Sequence, residues 1–371
     1  MTETVLVLNA GSSSVKFQLF AYKKELPLLA DGKVTAIGAD AVFHAQSEET
    51  KGDTVTKNLP PKATHEDALR TIIDWVHNLS NGWRIAAVAH RIVHGGTEFT
   101  EPARITSDVF HRLKKLIPLA PLHQPHSLAA VGIANALLPH VPQIACFDTA
   151  FHARHDPLFT CFALPQAIAD KGVRRYGFHG LSYEWIVQVL KEKHPQLAKG
   201  RIIAAHLGNG ASLCAMQAGQ SVDTTMGMTA LDGLPMGTRA GALDAGAVIY
   251  MIRDLGLPPE KTEHILYEQS GLKGLSGMSG DVKILLESKD ANARFALDYF
   301  ALKVAQYIAM MAVSLGGVDG IVFTGGIGEN ASPVREAVMG RLAFLGSIPA
   351  LVIPANEERV MAQQTLAFLS R

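Results

Sequence analysis

Three glycine-rich turns follow apolar strands in this chain, and turns of that kind are suited to holding an anion. The first lies in Val5-Leu6-Val7-Leu8-Asn9-Ala10-Gly11-Ser12-Ser13-Ser14-Val15-Lys16-Phe17, the second in His206-Leu207-Gly208-Asn209-Gly210-Ala211-Ser212, and the third in Thr324-Gly325-Gly326-Ile327-Gly328-Glu329-Asn330. Small residues let backbone N–H groups approach an anion closely, and Gly11 is free to take a positive φ. Asn9 ends the first strand beside its turn, and Lys16 brings a positive charge back on the second strand. Taken alone, that stretch is more readily an ordinary hairpin with a polar turn. It is not a Walker A loop, because no Gly-Lys-Ser/Thr opens a helix. Other reactive side chains stand in short polar segments. Arg91 lies in His90-Arg91-Ile92-Val93-His94-Gly95-Gly96, and Asp148 ends the run Ile144-Ala145-Cys146-Phe147-Asp148. His179 lies in Tyr176-Gly177-Phe178-His179-Gly180, Arg239 in Met236-Gly237-Thr238-Arg239, and His123 between Pro121 and Pro125.

The elements that must position these groups alternate between strands and helices. After the opening hairpin, residues 21–62 read as further strands and polar loops, and 64–80 as a helix with Ala68, Ile72, Ile73 and Val76 on one face. Strands are predicted at 85–89 and 142–147, and helices at 106–116 and 126–138. The second strand delivers Asp148-Thr149-Ala150-Phe151-His152 at its C-terminal end, where ligands of α/β folds gather. A helix is predicted at 183–193. Residues 202–213 then repeat the grammar of the opening stretch at low identity. Residues 223–241 show no amphipathic period, and long irregular segments in compact domains are usually functional. Helices at 243–255 and 259–269, a Gly/Ser loop over 271–281, and helices at 281–287 and 291–315 follow. Asn356 caps a last helix with Glu357 in its first turn. Three glycine-rich turns spread over both halves point to a duplicated fold that clasps a nucleotide.

Composition narrows the class. A chain of 371 residues with 48% hydrophobic and 18% charged content has ample core for two domains. A formal net charge of +0 argues against a nucleic-acid or membrane surface. The three cysteines, Cys146, Cys161 and Cys214, form no CxxC pair, which fits a reducing compartment. No basic segment precedes the short N-terminal apolar run, so no signal peptide is expected. The apolar stretch 300–315 carries Lys303 and Gln306 and reads as a core helix. The expectation is a cytoplasmic enzyme.

Seven motifs in order, the six segments quoted above with Asp148 through His152 among them and Gly326-Ile327-Gly328-Glu329-Asn330 at the end, closely resemble the acetokinase family of short-chain carboxylate kinases. The resemblance covers nearly the whole chain. It implies an α/β fold of duplicated ribonuclease H-like domains, of the actin, hexokinase and heat-shock ATPase type, with a nucleotide cleft between them. Residues 1–150 with a C-terminal helix at about 358–371 would form the acyl and phosphate side. Residues 151–357 would form the nucleotide-binding and dimerisation domain. The implied reaction is reversible transfer of phosphate between ATP and acetate, giving acetyl phosphate and ADP, with Mg²⁺ (or Mn²⁺ in its place), in a homodimer that needs no nucleic acid or membrane.

The resemblance also assigns roles. Asp148, His179, Arg239 and His123 match catalytic positions, and Arg91, Val93, Leu122 and Phe178 match the substrate site. Lys16, Ser12 and Ser14, the turn His206, Leu207, Gly208, Asn209 and Gly210, then Asp281, Val282 and Lys283, and finally Gly326, Ile327, Gly328, Glu329 and Asn330 match ATP contacts. Asn9 and Glu357 match the Mg²⁺ positions, and both offer oxygen ligands. These residues suit the chemistry. Acetate is ionised near neutrality and needs no base; it needs a cation for its carboxylate, and a guanidinium such as Arg91 grips one bidentately. Arg239 and His179 suit the charge of the transferring phosphoryl group. Asp148 is then better suited to fixing an arginine, or orienting a metal-bound water, than to proton transfer.

Departures from the family pattern are few. Ala230 stands where a proline usually walls the methyl pocket, which would widen it. Lys283 and Val282 replace an arginine and an aromatic, Gly241-Ala242 replaces Gly-Asp, and the connection near 345–349 is short, trimming the periphery of the second half. Two rivals stay open: a propionate or butyrate kinase with the same mechanism, and a non-catalytic nucleotide switch of the same superfold, for which a carboxylate clamp has no use.

Overall fold

A computed structural model describes residues 2–47, 53–79 and 83–371. The part of the expected strand-and-loop region at 48–52, and Ser80 at the end of the expected helix 64–80, lie outside the described residues. The chain divides into two units, Met1–Ala150 with Asn356–Arg371, and Phe151–Ala355.

The first unit is built on β1 (Glu3–Ala10), β2 (Val15–Ala21), β3 (Leu28–Thr35), β4 (Val42–Ser47), β5 (Val55–Asn58), β6 (Arg84–Ile92), β7 (Ala103–Arg104) and β8 (Gln143–Phe147). Their order in the sheet is β5-β4-β3-β2-β1-β6-β8-β7. Strand β1 is central because Val5, Leu6, Val7 and Leu8 are all buried, so both its faces must be covered. Leu6 and Leu8 join Phe17 and Leu19 in a core with Leu69, Ile72, Ile73 and Val76 of the helix His65–Asn78. That helix starts at Thr64, whose side chain and Asp67 cap each other's backbone N–H. The helix Glu357–Leu369 packs against β1, β6 and β8, which places Glu357 beside their C-terminal ends.

The second unit carries β9 (Arg201–Leu207), β10 (Ala211–Gln217), β11 (Gln220–Thr224), β12 (Gly320–Thr324) and β13 (Ala350–Val352), in the order β11-β10-β9-β12-β13. Strands β9 and β10 pair antiparallel, as do β10 and β11, whereas β12 runs parallel to both β9 and β13. The run β3-β2-β1-β6-β8 has the same directions in the same order. The two units are thus one α/β topology used twice, three antiparallel strands followed by two parallel ones, which is the duplicated ribonuclease H-like pattern. The helix Ala291–Leu315 is long and apolar enough to cross a membrane by composition, but Ala296, Phe300, Val304, Ile308 and Met311 bury its inner face, and it packs on β9, β10 and β11.

Several expectations need correction. The stretch 271–281, read as a loop, opens with the helix Gly271–Ser276; two of its glycines serve helix ends, Gly271 at φ 61° and the C-cap Gly277 at φ 67°. The third glycine-rich segment is not a strand–turn–strand unit: Gly325, at φ 77°, turns β12 directly into the helix Gly325–Asn330. Gly11 does not use a positive φ, since its turn closes by Gly11 N–H donating to the Ser14 carbonyl at 2.8 Å. Asn356 and Glu357, expected in the second segment, group with the first unit because Asn356 caps the helix that packs there. The Asn356 side chain accepts from Arg359 N–H at 3.3 Å. Replacing this cap by alanine (Asn356→Ala) is expected to lower stability by about 1 kcal/mol and to loosen Glu357, read as a lower melting temperature together with reduced turnover; an unchanged melting temperature would show that the cap carries no weight.

Candidate active site

Arg91 leaves β6 one residue before its end, and Asp148 follows β8 directly. The parallel pairing of β6 with β8 brings the two strand ends together. Arg91 Nε and Nη2 donate to Asp148 Oδ1 at 3.0 Å and Oδ2 at 2.7 Å, a bidentate pair. Nη1 lies 3.2 Å from Glu357 Oε2. The Asp148 side chain is only 2% exposed, against 20% for Arg91. Burial opposes the charge on Arg91, but Asp148 and then Glu357 more than reverse this, and its pKa ends above the ordinary value. The hydrogen bonds to Asp148 occupy two of the five guanidinium N–H donors, Nη1 faces Glu357 as an ion pair, and the other N–H groups are left for a further acceptor. Arg91, expected to grip the substrate bidentately, has its Nε–Nη2 edge already taken by Asp148.

Around this ion group stand the residues expected to serve the metal. Asn9 Nδ2 donates to Glu358 Oε1 at 3.4 Å, and Lys16 sits directly across the ladder from Asn9. Burial pushes the Glu357 carboxyl above the usual carboxylate range and Glu358 adds to this, while Arg91 and Lys16 pull it back. Among the described residues, no group of three His, Cys, Asp or Glu side chains is arranged to hold a metal alone. Mg²⁺ does not need such a cage, since it keeps waters and takes one or two protein oxygens beside substrate phosphates. Asn9 and Glu357 fit that pattern; Glu358, missed in the sequence beyond its helix position, lies within the same group. Ser12 and Lys16 are exposed and Ser14 is half-buried at the hairpin turn. Val93 is buried, whereas Leu122 and His123 are half-buried at the start of the helix Gln124–Leu137.

The second unit holds the other set. His179 stands just before the helix Gly180–Lys193 at φ 58°, a left-handed conformation that non-glycine residues rarely adopt. Its ring stacks on His206, with centroids 4.3 Å apart and planes 22° from parallel. His179 Nδ1 is 2.8 Å from Ser212 Oγ, and His206 Nδ1 is 2.9 Å from Ser182 Oγ. Neither serine was singled out in the sequence, although Ser212 pairs with His206 across β9 and β10 and Ser182 follows His179 by three residues. A Cβ on Gly210 would come within 3.3 Å of His179 Nε2 and 3.9 Å of Arg239 Nη1, so both groups face this turn.

Arg239 is fixed by its irregular segment. Its Nη1 donates to the Ala230 carbonyl at 3.0 Å, and Met236 N–H donates to the Arg239 carbonyl at 3.0 Å. A π-helical turn, Ile265–Gln269, receives this loop, with Thr238 Oγ1 donating to the Tyr267 carbonyl at 2.7 Å. Burial lowers the Arg239 pKa, which Tyr267 and Glu268 oppose.

Next to these groups a cavity of about 900 Å³ is lined by Gly208, Asn209, Asp281, Val282, Lys283, Gly326, Ile327 and Asn330. Ile327, Val282 and Leu286 give it apolar walls, and Gly208 and Gly326 bare backbone. Asp281 also caps the helix Val282–Glu287. Of the contacts expected in this unit, His206, Leu207, Gly210, Gly328 and Glu329 are not among its lining residues. The Leu207 side chain is fully buried, Gly328 packs under Phe323, and the Glu329 carboxylate accepts from Gly325 N–H at 3.0 Å and Ala355 N–H at 2.9 Å. Glu329 thus ties β12 to the segment after β13. Phe178 is buried and Ala230 nearly so.

The acetokinase family profile matches residues 4–363. An acetate kinase of Nitrobacter hamburgensis is 42% identical over 99% of this chain and 96% of its own length. One of Rhodopseudomonas palustris is 45% identical over 93% and 88%. Among solved structures, a propionate kinase from Francisella tularensis superposes with a TM-score of 0.90 at 33% identity, covering 98% of both chains. An acetate kinase from Porphyromonas gingivalis gives 0.87 at 33% identity over 99% and 100%.

Two outcomes follow from this geometry. Gly210→Ala places a methyl against His179 and Arg239 with no positive φ at stake, so turnover should fall by about tenfold or more while the melting temperature holds; full turnover would remove the turn from the site. For Glu357, whose folded pKa is raised, ionisation costs stability as pH rises from the ordinary carboxylate range through the folded value. Without divalent metal, the melting temperature of wild type relative to Glu357→Gln should therefore fall from pH 4 to pH 7; a constant difference would contradict the burial argument.

Proposed function

The chain belongs to the acetokinase family, and we propose that it transfers the terminal phosphoryl group of ATP reversibly to acetate, giving acetyl phosphate and ADP. The observation that carries this reading is Arg91, a guanidinium hydrogen-bonded to Asp148 and ion-paired with Glu357, with N–H donors left over. A carboxylate nucleophile already carries its charge at neutral pH and asks for a fixed cation, not a base. Asp148, closed against Arg91 through both oxygens, orients that cation and moves no proton.

The phosphoryl side is served by the second unit. The cavity at Gly208, Asn209, Gly326 and Ile327 suits a nucleotide, with bare amides for phosphates and apolar walls for a base. His179 Nε2 and the Arg239 guanidinium, both facing the Gly210 turn, suit the equatorial oxygens as charge spreads over them. Mg²⁺, held through Asn9 and Glu357, would neutralise the phosphate oxygens of the nucleotide. Raised ionisation cost at Glu357 supports this, because a bound cation would offset it. Self-association as a homodimer is supported by exposed apolar side chains in the second unit: Ile249 and Tyr250 on the helix Ala245–Arg253, Leu243 before it and Leu255 after it, and Val313 on the helix Ala291–Leu315.

Propionate is a second substrate on this reading, favoured by Ala230. This residue is small and holds Arg239 through its carbonyl, so its side chain is free to set pocket width without disturbing the arginine. A hydroxamate assay for acyl phosphate with acetate, propionate and butyrate tests both. Acetate and propionate should both react, Ala230→Pro should shift preference towards acetate by a factor of about 10, and Arg91→Ala should abolish activity with each acid. No acyl phosphate from any acid would refute the assignment, and a steep preference for acetate in wild type would refute the wider pocket.

A further inference from the structure

His152 ends the segment Asp148 to His152 yet makes no contact that the phosphoryl-transfer reading uses. It is 2% exposed. Its Nε2 is 2.9 Å from the Phe178 carbonyl and its Nδ1 is 2.8 Å from Ser221 Oγ. Ser221 Oγ also lies 2.6 Å from His155 Nε2 and 3.2 Å from Cys214 Sγ.

Donor and acceptor roles in this chain follow from chemistry alone. A carbonyl only accepts, so His152 Nε2 carries the proton and donates to Phe178. Burial lowers the His152 pKa to about 3, so the ring is neutral and Nδ1 is an acceptor. Ser221 must then donate its only hydrogen to His152 Nδ1. With that hydrogen committed, Ser221 Oγ accepts from His155 Nε2–H. Cys214 also donates, because burial pushes its thiol pKa up and keeps the proton on sulfur. The sequence His155 to Ser221 to His152 to the Phe178 carbonyl is therefore polarised in one direction.

The far end of this sequence is the peptide that enters His179. Gly177, at φ 82°, lets the His152 ring lie against the backbone, where a Cβ would come within 2.7 Å of it. Residue 179 follows at φ 58°, a strained conformation that persists only when surroundings impose it. We propose that His152 is a positioning residue for His179: its Nε2–H bond to the Phe178 carbonyl holds the 177–179 backbone so that His179 Nε2 faces the Gly210 turn beside Arg239. This deepens the phosphoryl-transfer reading and rests on it. Ser221, through Nδ1, fixes the tautomer that makes the bond possible.

The test is steady-state acyl hydroxamate formation with acetate and ATP, run on wild type, His152→Ala and His152→Gln, beside nitrogen-15 imidazole spectra of wild type. Glutamine places an N–H donor near the position of Nε2 and alanine places none. His152→Ala is expected to lose about 100-fold in kcat, the size of a small misplacement of a reacting group, with KM for both substrates little changed. His152→Gln should recover most of that loss. The spectra should show His152 protonated at Nε2 alone at pH 7. A folded His152→Ala with kcat near wild type overturns the proposal, as does a glutamine variant no better than alanine. Should the alanine variant fail to fold, a wild-type spectrum with the proton on Nδ1, or on both nitrogens, overturns it instead. Wild type that makes no acyl phosphate refutes the functional reading itself; active wild type with an unimpaired variant refutes this inference alone.

Discussion

One largely buried guanidinium sets the terms for the first unit. Arg91 sits 20% exposed at the end of a central strand, and a cation there is costly unless carboxylates answer it. Asp148 answers from the neighbouring strand end and Glu357 from the first turn of the last helix. That requirement explains why residues 356–371 return to a unit whose other elements end at residue 150. It also explains the division of labour among the charged groups. Asp148 is committed to Arg91 by both oxygens, Glu357 carries an ionisation cost that a divalent cation would relieve, and guanidinium donors remain for an incoming carboxylate. The group is a holder of charge and geometry, which is the contribution that transfer of a phosphoryl group to an ionised acid requires.

The second unit repeats the strand order of the first and uses the equivalent places differently. In the first unit the β1–β2 turn carries serines beside Asn9 and Lys16; in the second the β9–β10 turn carries Gly208 to Gly210 beside His206. After β6 comes a polar segment containing His94 and Gly95, whereas after β12 Gly325 turns the chain at once into a helix. The duplication thus yields one set suited to a carboxylate and a metal, and another suited to a nucleotide and a transferring phosphoryl group. The left-handed His179, the π-helical turn at Ile265–Gln269 and the closely packed Gly271 cluster in the second set.

Much of this was legible in the sequence. The apolar run Val5–Leu8 before Asn9 fixes a central strand, and its echo at 202–213 reveals the repeat. The helix spacing of Ala68, Ile72, Ile73 and Val76 is found as read, and the resemblance to a known family brings Arg91, Asp148, His179 and Arg239 into two sets. What escaped was tertiary. Glycines at 271 and 277 read as a loop because glycine marks helix ends as readily as turns. Glu329 reads as a nucleotide contact from its motif, but its carboxylate is taken by two backbone amides, one of them from residue 355. Ser182, Ser212 and Ser221 carry no signal as residue types; they matter only because folding sets them beside histidine nitrogens.

The central claim is that Asp148 acts by holding Arg91 and has no separate chemical task. A double-mutant cycle on kcat/KM for acetate tests this most directly, with wild type, Arg91→Ala, Asp148→Asn and the double variant compared after each is shown to be folded. The account predicts that Asp148→Asn is damaging on its own but costs nothing further once Arg91 is gone. Losses that multiply, with the double variant far below Arg91→Ala, would give Asp148 an independent part in the reaction and contradict it.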